Sequence, residues 1–167
     1  MASAAVRFLL VVAMCGVVAL PSRVAGARPV SGAGFIVEGG VFCDTCQAGF
    51  ETPASTNIAG AKVQVECRDR ESGVVKYVAD GSSDDQGKYR IYVAGEHEND
   101  ICESVLVSSP DRWCSSPLAG RERARVVLTH HNGVVSDKRV ANNLGFRSNS
   151  ALAGCAEVMK AYQEYDD

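Results

Sequence analysis

The feature that most constrains this chain is its set of six cysteines outside an apolar leader: Cys43, Cys46, Cys67, Cys102, Cys114 and Cys155. The first two stand three positions apart at the end of an apolar, glycine-bearing run, and the rest follow at wide intervals. An even number of cysteines in an exported chain reads as a disulfide framework, and spacing alone leaves their pairing open. Cys43 and Cys46 then anchor the start of the fold to distant parts of the same domain.

Export is read from residues 1–27. Arg7 supplies a positive start, Phe8–Leu20 an apolar run of 13 residues, Pro21 a break and Ala25-Gly26-Ala27 a small-residue cleavage site. A membrane helix needs roughly 20 apolar residues, so the segment reads as a secretory signal and not as an anchor. Cleavage after Ala27 removes Cys15, Arg7 and Arg23. It leaves 140 of the 167 residues, with 15 basic and 20 acidic side chains, a net charge of −5. That length suits one domain with its own core. A mildly acidic surface without a basic patch argues against nucleic acid and against anionic membranes as partners.

Residues 28–34 read as a linker and 35–162 as the folded domain, with an acidic tail over 163–167. Within the domain, short runs with alternating apolar residues predict strands at 35–42, 61–68, 74–78, 88–93, 101–107 and 123–129, and a seventh within 140–146. Val63, Val65 and Cys67 share one face of the second strand, and Tyr89, Ile91 and Val93 one face of the fourth. Turn formers, densest over 80–87, separate the strands. Leu152, Cys155, Val158, Met159 and Tyr162 have helical spacing, but Gly154 weakens the segment, and a helix of one and a half turns pinned by Cys155 is predicted. The pattern implies an all-β, antiparallel sandwich or barrel with a short C-terminal helical segment. No strand alternates with a long helix, so no parallel sheet is expected.

Each site reading has a plainer rival. Cys43-Asp44-Thr45-Cys46 has the spacing of a redox dithiol, yet it lacks the strand–helix–strand context that activates one, and structural disulfides explain it better. A zinc site drawing on His97, His130 or His131 lacks its second pair of ligands. Asp80, Asp84 and Asp85 do not match a calcium loop, and turn chemistry accounts for them. No serine-hydrolase motif is present. Trp113 beside Cys114 reads equally as a binding anchor and as a side chain packed on a disulfide. No catalytic residue, metal or cofactor is expected.

The stretch Glu38-Gly-Gly-Val-Phe-Cys-Asp-Thr-Cys-Gln47 closely resembles the signature of the pollen Ole e I and extensin-like family. Ile58–Cys67, Asp85–Ile91, Asp100–Pro110, Arg123–Thr129 and Ala141–Phe146 resemble further family segments, and the likeness spans about residues 35–162. It looks nearest to the grass-pollen members. Phe42, Gln47 and Asn143 stand where Tyr, Arg and Pro are usual. The resemblance implies a disulfide-stapled, seven-stranded β-barrel or sandwich with bridges Cys43–Cys114, Cys46–Cys155 and Cys67–Cys102. It also implies a non-enzymatic extracellular plant protein of the cell wall or apoplast, acting in pollen hydration or pollen-tube growth, in some members an allergen. The expected partner is a secreted protein or a cell-wall polysaccharide. The alternative is a trypsin-like protease inhibitor, which would present Arg112 beside Trp113, or the basic loop 121–125, in substrate-like form.

Overall fold

One strand, β1 (Gly34–Asp44), reaches four others in the computed structural model, which describes residues 34–163. The predicted leader, the linker up to residue 33 and the tail beyond residue 163 lie outside the described residues. The remaining strands are β2 (Thr56–Asn57), β3 (Lys62–Asp69), β4 (Val75–Ser82), β5 (Lys88–Ala94), β6 (Asp100–Ser108), β7 (Ser116–Pro117), β8 (Arg123–Val126), β9 (Lys138–Val140) and β10 (Leu144–Arg147). A helix, α1 (Cys155–Gln163), follows them.

The first half of β1 pairs antiparallel with β5 and parallel with β9. Its second half pairs antiparallel with β2 and parallel with β10, which in turn pairs with β7. The other sheet is antiparallel throughout, in the order β4-β3-β6-β8. The two sheets share one core. Phe35, Val37 and Val41 of β1 and Tyr89, Ile91 and Val93 of β5 join Val63 and Val65 of β3, Val126 of β8, and Leu144 and Phe146 of β10. Burying each such side chain stabilises the fold by about 1.5–3 kcal/mol. The period-two readings of β3 and β5 hold: the residues expected inside are inside.

Three expectations need correction. The described residues form two sheets with no closed barrel, and they hold ten strands where seven were expected. The single strand expected within 140–146 is two, β9 and β10, with Ala141–Asn143 between them. The extra strands β2 and β7 have two residues each, too few for any periodicity to show. The second correction is direction, since β1 pairs in parallel with β9 and with β10. A parallel pair needs a long crossover. Here the other strands supply it, so no helix is required.

The third correction is α1. It has nine residues, about two and a half turns, instead of one and a half. Gly154 (φ +89°) sits just before it, and its carbonyl accepts the amides of Glu157 and Val158. The glycine that weakened the helix in the sequence therefore starts it. Cys155 is the buried residue of α1. No helix among the described residues is long and apolar enough to cross a membrane.

Candidate functional site

The signature stretch Cys43-Asp44-Thr45-Cys46 is a four-way fastening. Cys43 bonds Cys114, Cys46 bonds Cys155, and Cys67 bonds Cys102 across the β3–β6 pair. All six cysteines are thus used, in the pairing that the family resemblance implied. Asp44 is fully buried, and its carboxylate accepts the amides of Ala48 (3.0 Å) and Gly49 (2.8 Å). Thr45 donates its hydroxyl to Ala54 O at 2.7 Å, and its carbonyl accepts the Leu152 amide at 3.0 Å. Gln47, the one non-glycine among the described residues with positive φ (+53°), donates to Ser148 O at 2.9 Å. Every residue of the stretch has a structural partner, and Cys43 and Cys46 do not form a dithiol with each other.

Arg112 and Trp113 occupy the two central positions of a turn closed by a bond from the Cys114 amide to Asp111 O. The Asp111 carboxylate accepts the Trp113 amide, and Asn149 clamps both carbonyls: its side chain reaches Arg112 O and its amide reaches Trp113 O. The Arg112 side chain is exposed and has no partner among the described residues. Trp113 is half-buried and packs on the core next to the Cys43–Cys114 bridge. A protease cleft takes an extended segment, whereas this one is bent and its carbonyls are occupied. Nothing here supports the inhibitor alternative.

The three histidines gather at one end of the sandwich, each on a carboxylate. His97 meets Asp100 at 2.9 Å, and His131 meets Glu98 at 3.0 Å. His130 bonds Glu96 on one ring nitrogen and Asp137 (3.0 Å) on the other, while its ring stacks on Phe35. Glu96, and then Asp137, hold His130 above its ordinary pKa of 6.5. Arg139, buried behind them, lies over the Phe35 ring and donates to the carbonyls of Val127, Thr129, Ser136 and Lys138. That explains why β8 stops at Val126, short of the predicted residue 129. Cys67, His97 and Cys102 bring ligand-type atoms within 4.8 Å of one another, but both sulfurs belong to a disulfide.

An open cleft of about 660 Å³ lies on the outer face of β1, where that strand passes from β5 and β9 to β2 and β10. Glu38, Lys88, Arg90, Val140 and Asn143 line it, together with the 84–87 turn. Asp84 Oδ1 accepts the amides of Gln86 and Lys88, both at 2.9 Å, so this aspartate serves the turn. Asp80 accepts Gln64 Nε2 at 2.7 Å.

The six cysteines and the Arg112–Trp113 pair stand out in the sequence and the pairing of the cysteines follows from the family resemblance, but the turn that holds Arg112 and Trp113 is visible only in the structure. In the sequence His130 and His131 stand out only as candidate zinc ligands, and neither Arg139 nor the cleft gives a signal of its own. The alternation of acids with His97 over 96–100, set against His130, His131 and Asp137, was a readable sign of charge pairing. Nothing in the sequence brings Gly40, Lys88 and Asn143 together.

A family described as pollen protein Ole e 1 like matches residues 33–163. The pollen allergen Phl p 11 of Phleum pratense is 43% identical over 136 residues, covering 81% of this chain and 95% of its own. The pollen-specific protein C13 of Zea mays is 41% identical over 133 residues, covering 80% and 78%. The crystal structure of the major plantain pollen allergen Pla l 1 superposes with a TM-score of 0.66 at 34% identity, covering 73% of this chain and 99% of that one. On fold, bridges and sequence together, the chain belongs to the Ole e 1 like family of pollen proteins.

Proposed function

We propose that this protein is exported and works in the pollen wall or apoplast as a non-enzymatic interaction protein, in pollen hydration or pollen-tube growth. Its partner is a wall polysaccharide or a secreted protein. The observation that carries this reading is the covalent frame: three disulfides, spanning 71, 109 and 35 positions. Such bridges persist in oxidising compartments. The relatives Phl p 11 and C13 are, by name, a pollen allergen and a pollen-specific protein. Each histidine ring here is bonded to a carboxylate and not to a serine or thiol, which favours binding over nucleophilic chemistry. Like Phl p 11 by its name, the protein is expected to be an allergen.

The test is to express the full chain in pollen, sequence the N-terminus of the exported form and measure its retention on isolated pollen-tube walls. Cleavage after Ala27 and saturable retention are expected. An intracellular, uncleaved chain, or an exported chain that washes freely from walls, would overturn the proposal.

A further inference from the structure

The 660 Å³ cleft lies within the size range of small-ligand sites, and its chemistry is unusual for a plain surface dent. Gly40 is buried at its edge. A Cβ there would stand 2.6 Å from Asn143 Oδ1 and 3.0 Å from Lys88 Nζ. The missing side chain is what lets an amide oxygen and an ammonium converge on one point of backbone. Asn143 is held in place from behind, because its Nδ2 donates to Glu51 at 2.8 Å, which leaves Oδ1 as an acceptor. Lys88 Nζ has no hydrogen-bond or ion-pair partner among the described residues. Glu38 Oε1 is buried without a hydrogen bond. Arg90 Nη2 is 2.7 Å from it and Lys138 Nζ 3.8 Å, so the oxygen is charge-compensated but the arginine is not aligned to donate to it.

Unused donors and unused acceptors therefore stand side by side. The formal charges cancel: Glu38 and Asp84 line the cleft with Lys88 and Arg90. A hydroxyl group, which donates one hydrogen bond and accepts two, matches such a mixture, while a carboxylate or an ammonium would leave half of it unpaired. Val140, 81% exposed, lines the cleft and adds apolar surface for C–H groups.

We propose that this cleft is a binding site for a neutral oligosaccharide, with Lys88 and Asn143 as its main polar contacts. The inference rests on the reading of the protein as a wall-interacting one and names the chemical class of its polysaccharide partner.

The test uses the secreted, disulfide-intact protein, titrated with cellotriose and with xylotriose while backbone amide NMR shifts are followed. Trigalacturonate serves as the charged control. Saturable shifts confined to 38–40, 84–90 and 140–143 are expected with a neutral trisaccharide. Lys88→Gln combined with Asn143→Ala should weaken binding at least tenfold without changing the melting temperature. No saturable shift with either neutral probe, equal binding by the double variant, or binding of trigalacturonate alone would each overturn the proposal. Wall retention of wild type without any trisaccharide shift would sink the cleft assignment and leave the wider function standing. Loss of both would remove the wider function as well.

Discussion

Glu96 and His130 show how much single residues at the histidine end depend on each other. His130 is raised above 6.5, so its contribution to stability is fully present below that pH and is lost as pH rises through its folded value. Glu96 is lowered from 4.5, first by the His130 side chain, so its contribution is present above 4.5 and is lost as pH falls through its folded value. The contact is therefore strongest between those limits. Glu96→Gln should bring the His130 pKa down towards 6.5 in an NMR titration; an unchanged value would mean that Asp137 alone holds it up. A backbone prediction lies at the 84–87 turn. Gly87 has φ +71°, and a Cβ on it would meet Asn57 Cβ at 2.8 Å and Val41 O at 2.9 Å. Gly87→Ala combines a left-handed backbone with a clash against main chain. It should cost about 2 kcal/mol or more in urea unfolding.

Among the elements, the bridges have unequal tasks. Cys43–Cys114 lies in the core, whereas Cys46–Cys155 fastens α1, most of whose residues are exposed or half-buried. Cys46→Ala with Cys155→Ala should free residues 150–163 to rapid hydrogen exchange while the sheets stay protected. Cys43→Ala with Cys114→Ala should lower the stability of the whole domain by about 2–4 kcal/mol. Equal exchange behaviour in the two variants would mean that α1 is held by its other contacts. Arg139 plays a similar part for the 127–138 loop. Arg139→Met would leave four carbonyls without their donor and should cost about 2 kcal/mol or more, with faster exchange confined to that loop. Most elements were legible because each carries its own signal: Val63-Gln-Val65-Glu-Cys67 alternates by itself, as does Tyr89-Arg-Ile91-Tyr-Val93. The parallel partners of β1 were not, because β9 and β10 have three and four residues and take their place from β1 and not from their own pattern. The cleft was hidden for the same reason, since its walls come from separate stretches around 38–40, 84–90 and 140–143.

For the whole molecule, the three closed loops raise the entropy advantage of the native state, each by roughly 4 kcal/mol in the chain-entropy limit. Reduction and alkylation should therefore collapse the melting transition. Antibodies raised against the native protein are expected to lose most of their binding to the alkylated form. Equal binding to both would assign recognition to linear segments. The arrangement of β1 also has a consequence for the birth of the molecule. This strand leaves the ribosome first among the described strands, yet its parallel partners β9 and β10 emerge about a hundred residues later. Contacts of such long sequence separation form slowly. The first sheet cannot close before β9 and β10 have been made, and Cys46 must wait for Cys155 with a half-covered strand beside it. Folding of this protein is thus a late event, and until it happens an unfinished sheet edge stands open to wrong pairing.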